Sequence, residues 1–152
     1  MQDLLGLFLH HVGPILFVLV CCFAILKGET TERLVAGLLL VSWGASIASQ
    51  KSLGKLDAQY PVMAIDIIDL LVFAFLAWKS PRSWPTWAAA FQAVAVAVNL
   101  GKVSGLRISG VLYILAYNLT AYYVAAALLI GTFIVWRERE ALQGKPLEPF
   151  RN

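Results

Sequence analysis

Asp66 and Asp69 are the residues of this sequence best suited to chemistry, because both lie inside a long apolar run. Residues three apart share one face of a helix, so both carboxylates would point in the same direction. An aspartate near the centre of a membrane helix costs about 2.5–3.5 kcal/mol on insertion scales, and it therefore faces protein or water and needs a partner. The pair predicts a hydrogen-bonded structural layer, a proton, cation or small polar ligand site, or an interface with a partner chain.

The side chains that could meet this pair lie near one end of other apolar segments. Asp66 is expected to pair with Lys102 or Arg107, because a buried charge needs a partner. A chain that crosses the bilayer five times brings these positions to one level, so nearly every buried polar group is predicted to lie in one leaflet. The polar layer comprises Asp66, Asp69, His10, His11, Asn99 and Asn118, with Ser46, Ser49, Tyr113, Tyr117, Tyr122 and Tyr123 near it.

The two histidines raise the question of a cofactor. His10 and His11 are adjacent, so on a helix they point about 100° apart and cannot clasp one iron from both sides. The sequence has no other histidine to supply a second haem ligand. A zinc site would need one of these histidines with Asp66 and Asp69, and no spacing motif supports it. No metal or cofactor is predicted, and a quinone or a pigment is kept as a minor alternative.

Catalytic motifs are missing from the sequence. We find no nucleophile–base motif, no phosphate-binding loop and no dinucleotide fingerprint, so the protein is not expected to be an enzyme. Cys21 and Cys22 are adjacent in an apolar run and are interpreted as small fillers rather than as a redox pair. The net charge of +3 is dispersed along the chain, and this excludes a nucleic-acid surface.

The composition shows that the aspartates lie in an unusually apolar chain. The 152 residues are 60% hydrophobic and 14% charged, with a mean hydropathy of +0.76. Soluble domains have about 45–50% apolar and about 25% charged residues. A soluble fold of this length could not bury so much apolar surface, so lipid must solvate part of it. The length allows one domain.

The predicted fold is all-α, a polytopic bundle of five transmembrane helices. A spanning helix needs about 17–25 apolar residues, and charged or turn-forming residues separate the candidate segments. The first segment lacks a basic start and a small-residue cleavage site, so it is interpreted as a retained helix rather than a signal peptide. Four helices, with a short re-entrant second segment, are the alternative. The predicted helices cover residues 4–26, 34–50, 61–78, 84–100 and 110–136, within a bundle of residues 1–136, and 137–152 form a polar tail.

The basic residues predict an orientation. Eight of them lie in the first and third connections and the tail, and four lie in the other two connections. By the positive-inside rule, this distribution favours a cytoplasmic C-terminus. The eight are Lys27, Arg33, Lys79, Arg82, Arg137, Arg139, Lys145 and Arg151, and the four are Lys51, Lys55, Lys102 and Arg107.

A row of small residues marks the fourth segment, at Ala89, Ala93, Ala97 and Gly101. Small residues let membrane helices approach closely, so this row is predicted to pack within the bundle or, alternatively, to dock onto another protein. Most of the five tryptophans are interpreted as interfacial belts near the predicted helix ends.

The stretches SWPTWAAAFQAVAVAVNL and AYYVAAALLIGTFIVWRERE, with the paired histidines near the start, resemble small uncharacterised inner-membrane proteins of alphaproteobacteria. The resemblance implies a compartment and no chemistry. We expect a multi-pass protein of the bacterial inner membrane, working as a non-catalytic accessory subunit of a respiratory or photosynthetic complex. Its partners would be lipid and other membrane subunits or a second copy. The alternatives are a small proton- or cation-coupled transporter or channel using Asp66 and Asp69, and a quinone- or pigment-binding protein.

Overall fold

The computed structural model describes residues 12–57, 59–105 and 109–143, and within these ranges it contains five α-helices and no strand. The predicted all-α fold with five helices is confirmed. The helices are α1 (Gly13–Lys27), α2 (Thr30–Asp57), α3 (Gln59–Lys79), α4 (Trp84–Val103) and α5 (Gly110–Gln143).

The five helices form a closed ring. Each helix packs against the next one in the chain, and α5 closes the ring by packing against α1. Successive helices are antiparallel, as shown by Ser42 of α2 meeting Asp69 of α3. Helices α1 and α5 run in the same direction, since the ring of Phe23 lies 6.1 Å from that of Trp136 near the ends of both. A ring of this kind leaves space along its axis that side chains must fill or line.

Within the described ranges, three helices are long and apolar enough to cross a membrane, over Thr30–Ser52, Tyr60–Lys79 and Gly110–Leu142. The described part of α1 has 15 residues, or about 22 Å at 1.5 Å per residue, against a hydrocarbon core of about 30 Å. Large apolar side chains are exposed on the outside of the ring, as at Leu26, Val41 and Leu71. Lipid is the solvent that suits such a surface.

Two helices continue beyond their predicted ends. The connection predicted over residues 51–60 is largely absent, because α2 runs to Asp57 and α3 begins at Gln59. The extra turns contain no proline, and Gly54 alone does not end a helix. Helix α5 likewise continues to Gln143, past the predicted end at Trp136, over strong helix formers. Hydropathy shows where a helix leaves the lipid and not where the helix ends.

The apolar core occupies one half of the ring. Its centre is formed by Cys21, Val35, Phe73 and Leu128, each of them 1% exposed or less. In the other half, the interior carries polar side chains instead. Because lipid is as apolar as the core, the apolar half is held together by close van der Waals packing rather than by transfer of its side chains from water.

Candidate functional site

A cavity of about 510 Å³ lies inside the half of the ring that carries the polar side chains. All five helices contribute to its wall. Gly13 at the start of α1, Gln50 late in α2 and Lys102 at the end of α4 show which end of the bundle it occupies. The lining includes both predicted aspartates, together with Ser42, Ser46, Gln92, Tyr113, Tyr117, Asn118 and Tyr122.

Asp66 is the hub of the polar side chains in this half. Its Oδ1 accepts a hydrogen bond from Gln92 Nε2 at 3.1 Å, and its Oδ2 accepts one from Asn99 Nδ2 at 2.5 Å. The Tyr117 hydroxyl lies 3.4 and 3.3 Å from the two carboxylate oxygens and donates to them. Asp66 is only 6% exposed. Three neutral side chains from α4 and α5 therefore hold a buried carboxylate of α3.

A chain of contacts leads from this hub to a lysine. The Tyr113 hydroxyl donates to Asn99 Oδ1, so both ends of the Asn99 amide are used. The Lys102 ammonium lies 3.8 Å from the centroid of the Tyr113 ring. A cation over an aromatic face is attracted by the ring quadrupole. The structure places the Lys102 ammonium over the tyrosine ring, and among the described residues it shows no ion pair between Lys102 and Asp66. The alternative partner, Arg107, lies outside the described residues.

Asp69 has a different environment. It is 4% exposed, and its Oδ1 accepts a hydrogen bond from Ser42 Oγ of α2 at 2.8 Å. Within the described ranges, its Oδ2 accepts no hydrogen bond. Because Asp69 lines the cavity, this second oxygen is available to whatever occupies the space. The two carboxylates are therefore not equivalent. Among the described residues, hydrogen-bond donors reach both oxygens of Asp66 but only one oxygen of Asp69.

Aromatic rings form much of the remaining wall. Phe17 and Trp43 pack with their ring centroids 5.9 Å apart, and Tyr113 and Tyr117 stack at 6.0 Å. Tyr122 reaches α1 so closely that a Cβ at Gly13 would overlap its phenol. A side chain at this position would therefore require the Tyr122 phenol to move.

The sequence-predicted polar residues are only partly brought together. Asp66 and Asn99 are bonded directly, and Asp69 and Asn118 line the same cavity. Ser46 also faces the cavity, whereas Ser49 donates to the carbonyl of Ala45 in its own helix. His10 and His11 lie outside the described residues. Among those that the structure describes, no group of three or more His, Cys, Asp or Glu side chains is placed to hold a metal.

Two cavity residues were missed by the sequence analysis as partners of the aspartates. Gln92 lies seven residues before Asn99, two helical turns away on the same face of α4, and this spacing was a usable signal. Ser42 was not among the residues expected near the aspartates. Its role depends on the rotation of α2 against α3, which spacing along one helix does not reveal.

A second polar cluster lies at the opposite end of the ring. Glu32 of α2 is fully buried, and its Oε1 accepts a hydrogen bond from Trp84 Nε1 of α4 at 3.1 Å. Its Oε2 accepts the backbone N–H of Glu29 at 3.1 Å. The prediction that nearly every buried polar group lies in one leaflet is therefore wrong. Trp84, 4% exposed, serves this cluster and not an interfacial belt.

Arg82 links this cluster to the helix ends. Its guanidinium lies 3.0 Å from Glu29, 3.5 Å from Glu32 and 3.6 Å from Glu138 of the α5 extension. Burial works to lower the pKa of Arg82, but the hydrogen bond to Glu29 and the charges of the three carboxylates raise it overall. The cluster joins the α1–α2 turn, the α3–α4 turn and the end of α5, which fits a structural clasp.

The small-residue row of α4 is not its buried face. Ala93 and Ala97 are exposed, while Ala89 and Gly101 are partly buried. Contacts inside the ring are made by the adjacent row, which consists of Ala88, Gln92, Ala95 and Asn99. The residues of α4 that pack inside the bundle therefore belong to this adjacent row, whereas the middle of the small-residue row faces outward.

Comparison with known proteins gives no relative: no family model, no curated protein and no solved structure matches the chain.

Proposed function

We propose that the protein binds a monovalent cation inside the membrane and acts as a small cation transporter that uses Asp69. One observation supports this most directly. Asp66 and Asp69 are both buried, and among the described residues neither has a cationic group within ion-pair distance. A buried carboxylate without a cationic partner is costly, so binding of a proton or another cation would stabilise the pair.

The net charge of the cavity wall favours a ligand with a single positive charge. The charged residues in the described lining are Asp66, Asp69 and Lys102, which together leave one negative charge in excess. The donors to Asp66 are neutral, and they disperse its charge without cancelling it. A monovalent cation at Asp69 would bring the lining to neutrality.

The interior between the two polar clusters argues for a transporter and against an open channel. Glu32 and Ser42 are ten residues apart on α2, or about 15 Å along the helix. In this interval, buried apolar side chains of α1, α2, α3 and α5 fill the ring. A cation at Asp69 would have access from one end only, and passage would require a change of conformation, as in alternating access. The filling residues are Cys21, Val35, Phe73 and Leu128.

Flux in proteoliposomes tests the proposal. Wild-type protein and the Asp69→Asn variant are reconstituted, and three probes are followed separately: protons with entrapped pyranine, radioactive sodium and tetraphenylphosphonium. We expect at least one probe to enter faster with the wild type than with empty liposomes, and Asp69→Asn to abolish the difference. The asparagine keeps an oxygen for Ser42, removes the negative charge and replaces the second carboxylate oxygen with an amide donor.

Glu140→Gln is the matched control, because it removes an exposed carboxylate near the end of α5, far from the cavity. This variant should transport like the wild type. If no probe shows flux that depends on Asp69 under any gradient or membrane potential, the proposal is wrong.

A second candidate, the accessory subunit of a larger membrane complex, is favoured by the outward-facing middle of the small-residue row. Ala93 and Ala97 offer a surface on which another helix could pack closely. Gentle extraction followed by native mass spectrometry would show a co-purifying subunit or a second copy, and Ala97→Leu would weaken the association. A lone monomer under these conditions would count against this candidate.

We also propose that the membrane is the bacterial inner membrane, with the C-terminus in the cytoplasm. The support is the excess of basic residues in the first and third connections and the tail, together with the resemblance described above. The cavity would then open towards the periplasm. Labelling a cysteine at position 140 with an impermeant thiol reagent checks the side, and labelling from the periplasm would reverse the assignment.

A further inference from the structure

We infer that the cation bound at Asp69 is an organic monocation with an apolar body, rather than a bare metal ion or a proton alone. This inference rests on the proposed function and names the substrate class of the same site. It is carried by the size of the cavity, the chemistry of its walls, the position of Asp69 on the cavity wall and the position of Lys102.

The cavity is far larger than an inorganic ion needs. Its volume of about 510 Å³ falls in the range of about 300–1,000 Å³ that is usual for small-molecule sites. A single water molecule takes up about 30 Å³ of the liquid. A dehydrated ion held by oxygen ligands would need a small, converging cage, whereas Asp66 and Asp69 lie on one wall of a much larger space.

The walls suit an apolar cation. Phe17, Trp43 and Tyr122 present aromatic surface, and Leu39, Val62, Ile65 and Val124 present aliphatic surface. Aromatic faces attract organic cations such as quaternary ammonium groups through the ring quadrupole. An inorganic ion gains nothing from such aliphatic walls, because it requires oxygen ligands around it. The lining thus combines one point of negative charge with a large apolar surface.

Asp69 is the carboxylate that would contact the ligand. Donors from two helices already occupy both oxygens of Asp66, so Asp66 acts as a positioning residue that fixes α3 against α4 and α5. Among the described residues, Asp69 uses only Oδ1 as a hydrogen-bond acceptor. Its donor is Ser42, which begins a row with Ser46 and Gln50 along the cavity wall of α2. This polar row leads from Asp69 towards the end of the bundle and provides an entry path for a charged group.

Lys102 restricts the charge of the ligand. Its ammonium is held over Tyr113 on the cavity wall, so a second positive charge on a ligand would meet repulsion there. Since the described lining carries one excess negative charge, a monocation gives neutrality and a dication does not. The inferred class is therefore a lipophilic cation with a single delocalised or shielded charge.

Equilibrium binding to the purified full-length protein in detergent tests the inference. The probe is tetraphenylphosphonium, followed by radiolabel retention and by quenching of tryptophan fluorescence. Tetraphenylborate, which has nearly the same size and the opposite charge, is the matched ligand control. We expect saturable tetraphenylphosphonium binding that sodium does not displace, and a loss of affinity of roughly 30-fold or more in Asp69→Asn, as for removal of one member of a buried charge pair.

Two further variants keep the test decisive. Asp69→Glu retains the charge and should bind within a few-fold of the wild type, while Glu140→Gln should be unchanged, and size-exclusion profiles verify folding of every variant. Tetraphenylphosphonium binding that ignores Asp69, or equal binding of tetraphenylborate, would overturn the inference. If Asp69-dependent flux is found for protons or sodium alone, the proposed function stands and this inference fails. If no probe depends on Asp69, both are wrong.

Discussion

Replacing Asp66 with alanine is expected to destabilise the bundle by about 2–4 kcal/mol and to abolish ligand binding in the cavity. The change leaves the buried donors of Gln92, Asn99 and Tyr117 without their shared acceptor. An unsatisfied buried donor costs about 1–3 kcal/mol in water-soluble proteins, whereas a hydrogen bond between membrane helices contributes about 0.6 kcal/mol on average. Three lost hydrogen bonds therefore cost about 2 kcal/mol on the membrane value and about 3 kcal/mol on the lower soluble value. Unfolding titrations with sodium dodecyl sulfate in mixed micelles would measure the change.

An exchange of side chains shows whether this loss comes from the hydrogen bonds. Asn99 donates to Asp66 and accepts from Tyr113, so its amide stands between a carboxylate and a hydroxyl. Asp66→Asn alone places one amide N–H donor opposite another, and Asn99→Asp alone places one carboxylate opposite another. The double variant restores one donor and one acceptor at each contact, with the charge moved from α3 to α4.

We expect the double variant to recover at least about 1 kcal/mol relative to the sum of the single changes, since residues in direct contact are energetically coupled. Additive losses would show that the hub contributes through shape and not through its hydrogen bonds. Ligand binding adds a second readout, because Asp69 is unchanged and should still bind a cation in the exchanged protein.

Gly131→Ala is expected to destabilise the protein by about 2–4 kcal/mol, a large effect for one methyl group. A Cβ at this position would lie 2.5 Å from two ring carbons of Trp84, so the indole must move. Overpacking of this kind costs about 1–3 kcal/mol by itself. A shifted indole also breaks the 3.1 Å hydrogen bond to Glu32, which is fully buried and then loses one of its donors.

Gly44→Ala is the matched control, because no atom lies within 4 Å of the Cβ it would add in α2. It should be neutral or stabilising by up to about 1 kcal/mol, as alanine favours a helix more than glycine. In a Trp84→Ala background no ring is left to overlap the added Cβ, so Gly131→Ala should then cost less. Equal losses from Gly131→Ala in both backgrounds would contradict the proposed contact.

The polar side chains show how far the sequence could predict the candidate site. That Asp66 and Asp69 need partners follows from their position in an apolar segment, and the amide of Asn99 was correctly included among the polar groups near them. The sequence did not predict that neutral side chains, rather than a basic residue, would donate to Asp66. Lys102 was within reach along the chain, but the ring of Tyr113 holds its ammonium.

Glu32 shows the same limit at the other end of the bundle. In the sequence it lies in the first turn of a helix, where an acidic residue is ordinary and exposed. Its burial depends on Trp84 and Arg82, which are fifty or more residues away in the chain. A partner at that distance in sequence is chosen by the packing of α2 against the α3–α4 turn, and no local pattern contains it.

The sequence by itself determined the solvent, the helical class and the number of helices, because each follows from the length of apolar segments and the residues between them. Only the tertiary structure decided which faces meet. Lipid and the core are equally apolar, so hydropathy does not determine the rotation of a membrane helix about its axis. That rotation decides which donors enclose Asp66, which donor meets Asp69, and why the middle of the small-residue row of α4 faces outward.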